Sequence, residues 1–131
     1  MTVIYADEGD LDARFGEAEM RQIAPEPELL AQALADGSSE VEVVMNALGK
    51  RLIEPYPNII VSIAANLARW YLYEDHVPEE VQKRAENARA LLKRLARGEI
   101  VLGVAAAEDL PDAEKPVSQG SVTKGRSLMQ W

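Results

Sequence analysis

The chain has 131 residues, of which 47% are hydrophobic, and this is enough for one domain with a buried core. It contains no cysteine, which excludes disulfide bonds and metal sites built from thiolates. The formal net charge is -8 and the mean hydropathy is -0.18. Because the first residues turn acidic at once and no apolar run reaches the length of a membrane span, we expect a soluble chain of the cytoplasm.

The charge is distributed unevenly along the chain. Residues 1–48 hold 11 acids and 2 bases, whereas residues 49–98 hold 9 bases and 6 acids. A general nucleic-acid binder needs a net basic surface, so this balance argues against one. Two interpretations remain open: an acidic surface that keeps the protein soluble, or attraction between copies of the chain arranged head to tail.

The first predicted element is a short helix from Asp7 to Phe15, which Gly16 ends before a second short turn. Asp7 and Asp10 stand where helix caps and first-turn acids are favoured. Their acidic cluster lacks the ligand spacing and the closing Glu of a calcium-binding EF-hand loop. Helix capping is therefore the expected role, and no metal site is predicted.

The second predicted helix follows Pro25 and Pro27. Its apolar residues recur at steps of three, four or seven and share one side of the helix; they are Leu30, Leu34, Val41, Met45, Leu48 and Leu52. Gly37 lies on the same side, where the missing side chain permits close approach of another backbone. Glycine also lowers helix stability by about 1 kcal/mol relative to alanine, which permits a local break at "DGSS".

The third predicted helix runs from Asn58 to about Glu74 and is apolar on almost every side. Its polar side chains form one narrow strip of Ser62, Asn66, Arg69 and Tyr73. Such a helix must be covered on most sides. Three other helices of a small domain could cover it, and a subunit interface would do so more easily. We expect Asn66 and Arg69 to lie on the part that the chain itself covers least.

The fourth predicted helix begins at Pro78 and stops at Gly98, with Glu79 and Glu80 at its start. Its basic side is either a solvated surface or a docking surface for an acidic neighbour. Together with the polar strip of the third helix, it supplies the candidate residues of a subunit interface: Asn66, Arg69, Tyr73, Arg94 and Arg97.

The C-terminal part of the chain changes in composition. The run "EIVLGV" (99–104) is expected to pair as a strand or to lie extended over the core. From Ala105 the residues are small and polar, and Pro111 and Pro116 exclude regular structure, so this segment is not expected to order itself without a partner. Yet it ends on "SLMQW". This apolar end is either a frayed terminus without a role or a segment that binds the surface of another protein.

No group of residues has the pattern of an active site. His76 is the only histidine and has no Ser or Cys nucleophile pattern around it. The sequence has no phosphate-binding glycine loop, no zinc-binding spacing and no alternation of aromatic and basic residues. Trp70 and Tyr71 are expected to be packing residues. We therefore expect a protein that is not an enzyme and that uses no metal or cofactor.

Five pieces of the sequence, taken in order, resemble one family. They are "YADEGDLDARFGEAEM", "ALADGSSEVEVVMNALGKRL", the turn "EPYPN", "ANLARWYLY" and "RAENARALLKRLARGEIVLG". Their order over residues 4–104 is similar to that of the phage Mu-like neck proteins, which in turn resemble the head–tail connector adaptors of long-tailed phages. The expected fold is all-α, a small bundle of about four helices with a short extended segment and an extended C-terminal arm. Residues 1–104 would form the helical connector domain and residues 105–131 the docking arm.

The resemblance implies a structural protein of the virion neck, assembled in the host cytoplasm. Copies would form a twelve-membered ring beneath the portal protein, above another neck or tail-completion protein. Double-stranded DNA would pass through the ring without sequence-specific binding, and no membrane is involved. The arm would dock on the portal through Val122, Arg126, Leu128, Met129 and Trp131.

Two rival interpretations stay open at this point. The main one is a small cytoplasmic helical regulator or chaperone, whose protein partner would bind the apolar third helix. The other is an enzyme subunit without catalytic residues of its own.

Overall fold

The computed structural model describes residues 3–73, 75–103 and 105–111. These residues form five helices and a two-stranded sheet. In chain order the elements are α1 (Glu8–Phe15), α2 (Glu17–Ile23), α3 (Pro27–Ala47), β1 (Lys50–Leu52), α4 (Asn58–Leu72), α5 (Glu79–Ala96) and β2 (Ala107–Asp109). The predicted class, a small all-α bundle, is confirmed. None of the helices in this part of the chain has the length and apolarity needed to cross a membrane.

The chain enters the bundle through α1 and α2. Asp7 caps α1 with a reciprocal pair of bonds: its carboxylate accepts from the Asp10 N–H at 2.9 Å, and the Asp10 carboxylate accepts from the Asp7 N–H at 2.9 Å. The predicted capping role is therefore confirmed. Gly16 separates the two helices with φ of 95°, a backbone conformation that favours glycine.

Helix α3 is continuous through Gly37, so the break that glycine permits at "DGSS" does not occur. A Cβ at position 37 would stand 2.8 Å from the backbone oxygen of Ala64 and 2.9 Å from the backbone nitrogen of Ala68. The predicted close approach of another backbone is thus confirmed, and the partner is α4. Helix α3 ends at Ala47 and Leu52 lies in β1, so its predicted place on the helix was wrong.

Helix α4 is the centre of the core. It packs against α3, α5 and α1. Its buried residues are Ile60, Ile63, Ala64, Ala65, Leu67, Ala68 and Arg69. The small residues among them let α3 lie close, so the chain covers its own apolar helix. Of the two expected ways to cover this helix, the chain's own helices provide most of the cover, and a subunit contact there stays a prediction.

The sheet joins two parts of the chain that the sequence analysis did not pair. β1 and β2 are antiparallel, with Lys50 opposite Asp109 and Leu52 opposite Ala107. The strand therefore lies at 107–109 and not within "EIVLGV", which contains no strand among its described residues. The expectation that regular structure ends before Ala105 was also wrong, because these residues gain ladder hydrogen bonds and the ion pair of Lys50 with Asp109 at 2.7 Å.

Candidate functional site

Arg69 of α4, a predicted interface residue, is bound inside the chain. Its Nε and Nη2 donate to the two carboxylate oxygens of Glu19 at 2.7 and 3.0 Å, and its guanidinium lies 4.4 Å from the centre of the Phe15 ring. Glu80 of α5 is 3.5 Å away. The side chain is only 8% exposed. The expectation that Arg69 lies where the chain covers α4 least was wrong, because α1 and α2 fold over it.

Tyr73, a second predicted interface residue, reaches the same carboxylate. Its hydroxyl donates to Glu19 at 2.8 Å. The hydrogen bond from Arg69 lowers the pKa of the Glu19 carboxyl, although burial acts in the opposite direction. We call Phe15, Glu19, Arg69 and Tyr73 the Arg69 cluster. It links α1 and α2 to the end of α4, so its evident role is within the subunit. A contact with a second copy stays a prediction for Arg69 and Tyr73.

A similar cluster ties α3, α4 and α5 together. Arg89 donates from Nε and Nη2 to the two carboxylate oxygens of Glu40, both at 2.9 Å, and Tyr71 donates to Glu40 at 2.6 Å. The Arg89 guanidinium lies 4.5 Å from the centre of the Trp70 ring. The hydrogen bond from Arg89 lowers the pKa of the Glu40 carboxyl against the effect of burial. Trp70 and Tyr71 pack against the core, as expected.

The acidic partners of these clusters, Glu19 and Glu40, were missed by the sequence analysis. They stand 50 and 49 residues from their arginines. The spacing rules for helices act over three and four residues, so no local pattern could pair them. The signal that was present is indirect: an arginine on an otherwise apolar helix requires a partner if it is buried.

Asn66 lies one turn before the Arg69 cluster and faces a groove between α4 and α5. Its Nδ2 donates to the Ser62 carbonyl at 2.9 Å. Its Oδ1 is buried and accepts no hydrogen bond within the described part of the chain. Arg84 and Leu91 line the same groove. Because this oxygen is buried, it does not by itself show a contact with another chain, and the place of Asn66 in a subunit interface stays a prediction.

Arg94 and Arg97 lie near the other end of α5. Their side chains are 54% and 66% exposed, and they lie 3.5 and 3.8 Å from Glu99. Exposed pairs of this kind contribute about 0–1 kcal/mol, so both arginines are free to exchange partners. Arg94 is fourteen positions after Glu80, about 21 Å along the helix. The structure thus brings Asn66, Arg69 and Tyr73 together on α4 and its C-cap and keeps Arg94 and Arg97 apart from them.

An open apolar groove, also missed by the sequence analysis, lies where α3 and α5 end. Its volume is about 410 Å³, and its apolar lining comes from Met45, Leu48, Leu95, Ile100, Val101 and Leu102. We call it the C-terminal groove. Val101 is 85% exposed. The run "EIVLGV" was interpreted as strand or cover for the core, and periodicity alone does not show that such a run leaves a cavity beside it.

The predicted docking arm falls mostly on residues 112–131, outside the described residues. Val122, Arg126, Leu128, Met129 and Trp131 all belong to it, so their role stays a prediction. The described residues 105–111 of that arm pack on the helical domain through β2 and the buried Leu110. In the described ranges, no group of three or more His, Cys, Asp or Glu side chains is placed to hold a metal ion.

Comparison with known proteins gives the chain its family. No curated protein matches it. The sequence profile of one family, described as Bacteriophage Mu, Gp36, matches residues 5–120. The match covers all the helices and strands described above and confirms the resemblance to phage Mu-like neck proteins. Such a family indicates a protein of phage structure or morphogenesis. The chain belongs to the bacteriophage Mu Gp36 family.

Proposed function

We propose that this protein is a head–tail connector adaptor, a structural virion protein without enzymatic activity that joins the DNA-filled head to the tail. The observation that carries the proposal is the family match over residues 5–120, because Mu-like neck proteins resemble head–tail connectors. The fold supports it: the helices cover their own core, and the buried Arg69 and the half-buried Arg89 are paired within the chain, so one subunit can fold before it assembles.

The proposed assembly is a twelve-membered ring beneath the portal protein and above another neck or tail-completion protein. The exposed Arg94 and Arg97 are surface groups suited to contact a neighbouring copy, and Asn66, which lines the groove between α4 and α5, is a further candidate. Double-stranded DNA passes through the channel without sequence-specific binding. The 11 acids of residues 1–48 would suit a channel wall, since negative charge repels the phosphate backbone.

The C-terminal arm is the proposed contact with the portal. Leu128, Met129 and Trp131 are its apolar anchors, while Val122 and Arg126 stand before them in the sequence. Trp and Arg are the residue types that most often dominate the binding energy of interfaces. Burial of three apolar side chains contributes about 1.5–3 kcal/mol each, less the free energy of ordering the arm.

The alternative function is a regulator or chaperone whose partner binds the apolar third helix. The structure offers little exposed apolar surface on that helix for such a partner. That helix is α4, and its apolar residues are buried or half-buried under α3, α5 and α1. We therefore do not retain it as a second candidate function.

The arm supplies the test. Deletion of residues 120–131 should lower the thermal midpoint of the helical domain by no more than a few degrees, because the described core contains none of these residues. The same deletion should weaken binding to the portal protein of the same phage at least 10-fold, with Trp131→Ala accounting for a large share and Arg126→Ala for a smaller one. Pull-downs on portal and thermal melts of the same variants separate the two effects. Normal docking of the truncated chain would overturn the proposed role of the arm.

A further inference from the structure

The C-terminal groove is an apolar cavity that the described residues leave open. Its volume of about 410 Å³ falls within the range of about 300–1,000 Å³ for pockets that bury small ligands. It is therefore sized for a few side chains of a short segment and not for a folded partner. Val101 at its rim is 85% exposed. The apolar lining and the exposed rim can therefore take an apolar occupant.

The chain itself leads to the rim of this groove. Ala107 of β2 is one of the lining residues. Three residues later, the N–H of the buried Leu110 donates to the carbonyl of Gly49 at 2.9 Å. Gly49 stands between Leu48 and Lys50, which both line the groove. The last described residues, Leu110 and Pro111, therefore follow the strand that borders the cavity.

We propose that the C-terminal groove binds the chain's own apolar end, Leu128 to Trp131, in the free protein. Sixteen residues separate Pro111 from Leu128 and span up to about 50 Å when extended, so the end reaches the groove easily. A short tether also gives an effective concentration of the order of millimolar, which favours a segment of the same chain over a second copy. Three of the last four residues are apolar, the densest such cluster after Pro111.

The charges around the groove add little to this contact. Lys50 is paired with Asp109 at 2.7 Å, and Arg94 lies 3.5 Å from Glu99. Because these groups already have partners, apolar burial drives the binding, and salt has little effect on it. The proposal concerns the isolated chain and does not depend on the connector function. If both hold, the portal must displace the segment, so that the same side chains alternate between two surfaces.

Fluorine NMR of the full chain tests the proposal. The protein has two tryptophans, Trp70 and Trp131, so labelling with 5-fluorotryptophan gives two resonances, which Trp131→Phe assigns. Val101→Asp places a charge on the groove. Val43→Asp is the matched control, because Val43 is also exposed, at 67%, and does not line the groove. Circular dichroism melts confirm that both variants are folded.

The Trp131 resonance of the wild type and of Val43→Asp should differ from that of a synthetic peptide of residues 120–131. In Val101→Asp it should move to the peptide position. Dilution and added salt should leave the wild-type resonance in place. A wild-type resonance at the peptide position, or equal shifts in the two valine variants, would overturn the proposal. A shift that depends on protein concentration would assign the groove to the segment of a second copy and overturn the intramolecular contact.

Discussion

Replacement of Arg69 by Glu tests whether the Arg69 cluster holds the helices of a single subunit together. The change removes a two-bonded ion pair with Glu19 and places a third carboxylate between Glu19 and Glu80. Breaking a buried ion pair by removing one partner costs about 3–5 kcal/mol. Because Glu19 is 25% exposed and water can reach it, we expect about 2–4 kcal/mol. For a domain of this size that lowers the thermal midpoint by about 10 °C.

Arg84→Glu is the matched control, because Arg84 also pairs with Glu80, at 3.2 Å, and is 52% exposed. An exposed pair one helical turn apart contributes only a few tenths of a kcal/mol, so its reversal should cost less than about 1 kcal/mol. Urea unfolding followed by circular dichroism compares the two variants. Equal midpoints would refute the reasoning. An Arg69→Glu protein that is as stable as the wild type but fails to assemble would indicate that Arg69 belongs to the subunit interface.

Two further predictions concern stability. Gly37→Ala should lower the free energy of unfolding by about 1–2 kcal/mol, because overpacking against rigid backbone atoms of α4 costs more than the gain of about 1 kcal/mol in helix propensity. The control is Gly103→Ala, which should be neutral because a Cβ at position 103 meets nothing within 4 Å. Equal melting temperatures of the two variants would count against the close crossing of α3 and α4. Glu40 has a pKa lowered by Arg89, so its stabilising effect is complete above the ordinary Glu pKa and is lost as the pH falls through the lower folded value. The difference in thermal midpoint between wild type and Glu40→Gln should therefore shrink below about pH 4, and a constant difference from neutral to acid pH would contradict this.

The helices could be predicted because their signals are local. The Asp7 cap, Gly16, Pro57 and Pro78 set the helix starts and breaks, and the observed bounds differ from the expected ones by a few residues. Apolar periodicity also placed Gly37 on the side of α3 that meets α4. These features act within one or two turns of the chain, where propensity and periodicity are informative.

The contacts that decide the candidate site are not local. Arg69 was placed correctly on a polar strip, but its coverage depends on α2, which lies 50 residues earlier in the chain. β1 pairs with a strand that begins at Ala107, and short polar segments carry little strand signal of their own. The C-terminal groove arises from the ends of α3 and α5 together. The coverage of Arg69, the pairing of β1 with β2 and the groove all depend on how distant segments pack together, and the periodicity of a single segment does not show this.

The mass of the complex between this protein and the isolated portal ring of its phage tests the connector function most directly. Native mass spectrometry or mass photometry with the chain in excess should show the portal mass increased by twelve copies, and deletion of residues 120–131 should remove most of the increase. A portal mass that stays unchanged at saturating concentrations of the full chain would contradict the connector function.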